Sequence, residues 1–341
     1  MEPYTTSGDE NRMRWDGRSP GFMEIWYATL HHRRTGAGAW FRYTITSPRA
    51  ASHPPFCELW AFYFDPEGKR SFSGKQRFSI DRLGSQPGRD DGALVRIGDA
   101  WLTENHLEGL VSFGERTLQW SLDFEPQSSC FQHLPAQIRD RVAGRASTLC
   151  SPNLSVPFYG AIELDGETLE LEGDPGSQSH RWGRAHARSW AWAHCSVFDD
   201  GAAAIFEGLA AVPSLGPLPS PTVTFLYLEY EGESLGFNDL RQALGARSRF
   251  ELPTWAFTAK NESWKIAGAA RVRLDRTVQV RYHDPDGSPR FCANSELGDL
   301  AIELYRRDDG VWRHHASLTA SGTAAAEFGK RERFLDLELS F

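Results

Sequence analysis

Between Ser179 and Phe198 the chain packs three Trp, three His and one Cys into twenty residues, then turns at Asp199-Asp200-Gly201. From Arg188 onward the residues alternate, so Trp190, Trp192 and His194 share one face of a strand while Ala191, Ala193 and Cys195 share the other. An aromatic face of that kind suits an apolar ligand or a cationic intermediate better than a hydrophilic metabolite. His194 brings a titratable group to it. His180 precedes Trp182-Gly183, where the glycine permits a bend beside a large ring. Each His can pass a proton or bind a ligand oxygen, and each can equally serve as a hydrogen-bonding strut. His186 falls at a turn and is expected at the surface, and His314-His315 on a surface strand.

A second constellation opens the chain. In Phe22-Met23-Glu24-Ile25-Trp26-Tyr27, alternation puts Phe22, Glu24 and Trp26 on one face, and Glu58, Trp60 and Phe62 repeat the pattern. A carboxyl flanked by rings loses solvation, its pKa rises, and it can donate a proton near neutrality. The plainer alternative has each Glu facing solvent or paired with one of several nearby Arg. Glu24, His180 and His194 are therefore the candidate proton-transfer groups, and Trp26, Glu58, Trp60, Trp182, Trp190 and Trp192 the candidate substrate-binding groups.

The elements that must position these side chains are almost all strands. Period-two segments run through Glu24–Leu30, Ala39–Thr46, Glu58–Phe64, Leu107–Phe113, Thr117–Phe124, Ser189–Phe198, Ala203–Ala210, Val223–Glu229, Trp264–Leu274 and Leu300–Arg306. Asp165-Gly166-Glu167 joins Gly160–Leu164 to Thr168–Glu172 as a hairpin of the Asp-Gly kind. Helical signal is confined to Pro135–Val142 and Phe237–Leu244. The fold class is all-β: two antiparallel barrels or half-barrels packed together, with a single large sandwich as the alternative. A flexible segment over 1–19, a first domain over 20–173 and a second over 174–341 follow from the turn-rich stretch Gly173–Gln178. Four Pro between Val212 and Pro221 mark a loop across a barrel mouth.

Composition narrows the function. A length of 341 residues, 40% hydrophobic and 24% charged, describes a folded protein of two domains. The net charge of −8, with no long basic run, argues against nucleic acid as partner. No apolar run reaches membrane-spanning length and no secretory signal opens the chain, so the cytoplasm is the expected location. Five Cys scattered without ligand spacing read as free thiols. No Gly-rich nucleotide loop, nucleophile elbow or HExxH stands in the sequence, so no cofactor and no metal are expected.

Two motifs carry a family resemblance. Tocopherol cyclases have a segment of the form N-W-G-x-x-F-P-x-x-W-x-W-x-Q-C-N-x-F. The stretch Arg181–Phe198 resembles it, with Trp182-Gly183, Trp190, Trp192, Cys195 and Phe198 in register and His186-Ala187, His194 and Ser196 replacing the Phe-Pro, Gln and Asn. Phe22–Tyr27 is similar to the family's F-x-E-x-W-Y. The resemblance is to the lipocalin-like superfamily of tocopherol cyclases, carotenoid 1,2-hydratases and AttH-like proteins. It implies two lipocalin-like (calycin) domains over residues 20–341 and an apolar ligand in a barrel or between them. Fungal proteins that guide decalin-forming cycloadditions are similar in architecture. The hydratases read H-D-H-N-W-G where this chain has Gln178–Gly183, so their acid is Ser179, which counts against a carotenoid hydratase.

The expected function is a cofactor-independent cyclase or isomerase of a hydrophobic polyene, isoprenoid or polyketide-like molecule. In an acid-initiated version Glu24 or His180 protonates an alkene and the Trp rings stabilise positive charge. A pericyclic version needs only a pocket that holds a folded conformer. The alternatives are a non-catalytic carrier of a lipophilic molecule, a hydratase of the carotenoid type and a structural or stress-related protein.

Overall fold

The computed structural model describes residues 4–5, 10–50, 52–84, 92–134, 147–214 and 220–341. Among these residues two antiparallel sheets account for most of the chain. The first contains β1 (Tyr4–Thr5), β2 (Phe22–His31), β3 (Gly38–Ser47), β4 (Phe56–Phe64), β5 (Phe72–Ser79), β6 (Ala93–Ile97), β7 (Ala100–Thr103), β8 (His106–Phe113), β9 (Arg116–Phe124), β10 (Cys130–Gln132), β11 (Thr148–Leu164) and β12 (Glu167–Gly183). The second contains β13 (Ser189–Cys195), β14 (Ala204–Val212), β15 (Val223–Tyr230), β16 (Glu233–Phe237), β17 (Arg247–Glu251), β18 (Thr254–Lys260), β19 (Trp264–Arg271), β20 (Val278–His283), β21 (Pro289–Asp308) and β22 (Val311–Lys330). Helix α1 (Leu240–Gly245) is closed by a capping box from Asp239 and Gln242.

Both sheets follow one plan. The spatial order is β5-β4-β3-β2-β12-β11-β9-β8-β7-β6 in the first and β16-β15-β14-β13-β22-β21-β19-β18-β17 in the second. In each, the opening strand pairs with the last strand of a long hairpin, β2 with β12 and β13 with β22. One of the sheets is a half-barrel, so the all-β, two-barrel expectation holds.

The hairpins follow from turn chemistry. Asp165-Gly166, Glu231-Gly232 and Asp309-Gly310 each place two residues at positive φ between directly paired strand ends. That is the primed turn whose twist matches the strands, and Gly at its second position costs no Cβ clash.

Alternation then assigns faces. Trp26, Ala28 and Leu30 of β2 enter the first core with Phe41, Leu107, Trp120 and Phe158. Ala191, Ala193 and Cys195 of β13 enter the second with Phe206, Trp255 and Ile302. The opposite faces meet: Trp40, Trp60, Phe62, Trp190, Trp192 and Tyr282 form an aromatic layer between the sheets. Phe131 and Tyr227 pack together at another point of the same junction.

Three expectations change. The stretch Gly173–Gln178 lies inside β12, where Gly173 is the extra residue of a bulge between the pairs Phe158↔Asp174 and Tyr159↔Glu172. Gly beside Asp and Pro signals a bulge as readily as a turn, and the sheets part instead between Gly183 and Ser189. Residues 10–19 are not a loose leader: Trp15 is buried, and Asn11 exchanges side-chain hydrogen bonds with Gln178 of β12. The helical expectation at 237–244 is met only by α1, since Phe237 ends β16; that at 135–142 lies outside the described residues. The five Cys are free and buried.

Candidate functional site

The face of β2 that turns away from the first core carries Ile25 and Tyr27, and it walls a cavity of about 440 Å³ between the two sheets. Trp40 and Arg42 of β3, Arg181 of β12, and Trp190 and Trp192 of β13 continue that wall. Leu209 and Ala211 of β14, paired directly with Trp192 and Trp190, and Val223 and Phe225 of β15 extend the wall across the second sheet, and Leu240 and Leu244 of α1 add apolar lining. Pro213, Ser214, Ser220 and Pro221 border it; the middle of the expected Pro-rich loop, 215–219, lies outside the described residues. The volume is that of a small-molecule site, and the lining is mostly apolar with a few convergent polar groups.

His186 is one of those groups. It follows the bend at Gly183 and is stacked between Trp190 (5.2 Å) and Tyr282 (5.4 Å). Its Nδ1–H donates to Asp284 Oδ1 at 2.6 Å, and its backbone N–H donates to the same oxygen at 2.9 Å. Arg290 holds the other Asp284 oxygen at 2.9 Å. Burial, then the nearby Arg181, push His186 down to about 3, so the ring is neutral. With Nδ1–H fixed by a carboxylate, the lone pair sits on Nε2, and the side chain is a proton acceptor.

Glu207 of β14 organises a second group. It accepts His133 Nε2–H at 2.7 Å, Trp192 Nε1–H at 2.6 Å and His194 Nδ1–H at 3.0 Å. Burial opposes its charge, but the bonds from His133 and His194 hold its carboxyl down at about 2. His133 lines the cavity and its Nδ1 is buried without a partner among the described residues, so within them this pair too offers an imidazole nitrogen backed by a carboxylate.

The model of the tocopherol cyclase-like family matches residues 155–330, just over half of the chain. The chain belongs to the tocopherol cyclase-like family. The uncharacterized protein Rv0493c of Mycobacterium tuberculosis is 27% identical over 322 residues, which cover 92% of this chain and 90% of that protein. Among solved structures, an AttH from Nitrosomonas europaea aligns at a TM-score of 0.52 and 13% identity, over 91% of this chain and 93% of its own, a likeness of fold. Kievitone hydratase from Nectria haematococca aligns at 0.47 and 11% identity over 95% of both chains.

In this tocopherol cyclase-like protein the residues singled out from sequence divide sharply. Trp190 and Trp192 line the cavity. Glu24 and His180 do meet, Nε2 to Oε1 at 2.9 Å, but the pair is fully buried in the first sheet and away from the cavity. Glu24 accepts the backbone N–H groups of Arg14 and Trp15, and His180 Nδ1 donates to the Glu10 carbonyl. Trp26 stacks on His180 at 4.6 Å, and Trp182 lies between His180 and Arg14. The whole cluster anchors residues 10–15. Glu58 is held by Arg77 at 2.8 Å, the plain alternative, and Trp60 is packed behind the cavity against Tyr282. His194 is bound to Glu207 and faces a separate small cleft. His186, expected at the surface, is 7% exposed because both its neighbouring rings and Asp284 enclose it.

Among the polar groups of the cavity, His133, Arg42 and Arg181 escaped the sequence reading, as did Glu207 and Asp284 behind them, while His186 was placed at the surface. One signal was available: Glu207 is a lone carboxylate inside the otherwise apolar strand Ala204-Ile205-Phe206-Glu207-Gly208-Leu209, where a charge needs a buried partner.

No helix among the described residues is long and apolar enough to cross a membrane.

Proposed function

We propose that this protein is a cyclase or isomerase that takes a hydrophobic small molecule into the cavity between its two sheets and acts by proton transfer. The observation that carries the reading is neutral His186, backed by Asp284 and stacked between Trp190 and Tyr282, on the wall of an otherwise apolar cavity. In such a reaction a proton leaves one substrate atom and one is delivered to another carbon, so the product is an isomer of the substrate. His186 Nε2 takes the departing proton, and Asp284 stabilises the imidazolium that results. Return of that proton to a carbon closes the cycle. Where positive charge develops, Trp190, Trp192 and Trp40 stabilise it by about 0.5–2 kcal/mol per ring. Membership of the tocopherol cyclase-like family supports cyclase-type chemistry. Initiation by Glu24 or His180 has no such support, since neither lines the cavity.

The test is extraction of the purified protein with organic solvent and mass spectrometry of the extract, followed by incubation with polyenes and prenylated phenols. A lipophile lost from the Trp192→Ala variant, and a substrate converted to a product of unchanged mass by the wild type but not by His186→Ala, support the reading. A ligand that binds tightly and is recovered unchanged makes the protein a carrier instead.

A further inference from the structure

Two cations lie on the aromatic wall of this mostly apolar cavity. Arg42 on β3 is paired opposite Tyr27, and Arg181 on β12 opposite Ile25, so the two flank β2 on either side. Arg42 is 4% exposed, and its only side-chain hydrogen bond among the described residues is from Nε to Thr44 Oγ1, at 2.9 Å. Its guanidinium stands 4.3 Å from the Tyr282 ring centre and 5.2 Å from that of Trp60. Arg181 donates from Nη2 to Ser147 Oγ and to the Ala185 carbonyl, both at 2.9 Å, while its Nη1 is buried with no partner among the described residues. Among the described residues neither guanidinium forms an ion pair.

No carboxylate among the described residues touches either guanidinium: Asp284 and Glu327 favour the charge on Arg181 only at a distance and make their hydrogen bonds elsewhere. Asp284 holds His186 and Arg290. Glu327 accepts from Asn294 at 3.1 Å and from Trp190 at 3.4 Å. Glu207 serves two histidines and Trp192. A buried cation without a counter-ion is costly, and two on one wall also repel any carbocation formed there. Both disadvantages vanish if the ligand supplies the missing negative charge.

We propose that Arg42 and Arg181 receive the ionised acid group of an amphipathic ligand, whose apolar body lies along Leu209, Val223, Phe225, Leu240 and Leu244. The ligand class is a lipophilic carboxylate, phenolate or phosphate rather than a neutral hydrocarbon. This rests on the cavity being the ligand site, as the proposed function has it. An anion between the two guanidiniums would also offset the repulsion that disfavours protonation of His186, and so make that ring a stronger base once the ligand is bound.

The test compares dodecanoate, dodecanol and dodecylamine by tryptophan fluorescence quenching, at a pH where the acid is ionised. The expected result is that dodecanoate binds about tenfold or more tighter than the alcohol, with the amine weakest. Arg181→Gln and Arg42→Gln should each lower the affinity for dodecanoate by a larger factor than that for dodecanol, and so reduce that preference. Nuclear magnetic resonance of His186 should show its titration moving upward with dodecanoate and not with dodecanol. Equal affinity for acid and alcohol in the wild type overturns the head-group inference and leaves the cavity reading standing. If none of the three binds, the cavity reading falls and this inference with it.

Discussion

His133, just beyond β10 of the first sheet, and Glu207 of the second sheet meet at 2.7 Å, both buried, so a carboxylate on one sheet is satisfied from a segment joined to the other. The same carboxylate takes Trp192 and His194. Glu207→Gln removes the charge and leaves up to three donors facing an amide, a loss of about 3 kcal/mol for a broken buried pair. Its pH dependence is distinctive. Because the carboxyl is held at about 2 against an ordinary 4.5, it contributes stability that is complete above pH 4.5 and lost as pH falls from 4.5 toward 2. Urea midpoints measured across that window should fall less steeply in the variant. Identical slopes would rule the linkage out.

Asp284 anchors His186 on one oxygen and Arg290 on the other, and the Arg290 side chain is only 3% exposed. Asp284→Asn should destabilise the protein by about 3–5 kcal/mol, since Arg290 is left as an uncompensated buried charge. Asp275→Asn, which breaks an exposed pair with Arg273, should have no measurable effect on the same denaturation curve. If both substitutions are tolerated equally, the Asp284 pair is not buried as described.

The fold was legible because period-two alternation survives any choice of which face is inside. Ala191, Ala193 and Cys195 do share one face of β13, and Trp190, Trp192 and His194 the other. What alternation does not carry is the destination of each face. For β13 the aromatic face looks into the cavity, whereas for β2 the face bearing Glu24 and Trp26 looks into the first core and the face with Ile25 and Tyr27 meets the cavity. Glu24 between two rings therefore read as an active acid when it is an anchor for Arg14 and Trp15. The site's own histidines were hidden for a related reason. His133 and His186 lie in irregular segments outside the strands, and their partners Glu207 and Asp284 are 74 and 98 residues away in sequence. No local spacing records such pairs.

Glu296 on β21 makes the opposite pH prediction to Glu207. It is buried between the sheets with Thr29 of β2 as donor, and burial raises its carboxyl to about 8 from 4.5. A raised acid binds a proton in the folded state that the unfolded chain has released, so stability falls as pH rises from about 4.5 to 8. Glu296→Gln, neutral at every pH, should be at most slightly weaker than wild type at pH 4.5 and clearly more stable at pH 8. Thermal unfolding at both values decides it. A variant less stable than wild type at pH 8 would contradict the assignment.

Gly329 of β22 is what allows Trp190 to lie where it does. The two are paired across the sheet, and a Cβ at Gly329 would come 2.1–2.3 Å from three carbons of the indole. The far end of a flexible chain would give way cheaply, but this ring is stacked on His186 and its Nε1 points to Glu327. Gly329→Ala should therefore cost about 1–3 kcal/mol by overpacking, and the ring has only the cavity side to move into. Ligand quenching should weaken with it. Trp190→Leu alone should also cost stability, by loss of buried aromatic area. The two together should cost less than their sum, because the smaller side chain leaves room for the new methyl. Urea denaturation of the four proteins closes that cycle. Additive losses would mean that Gly329 is required for something other than the space it leaves for Trp190.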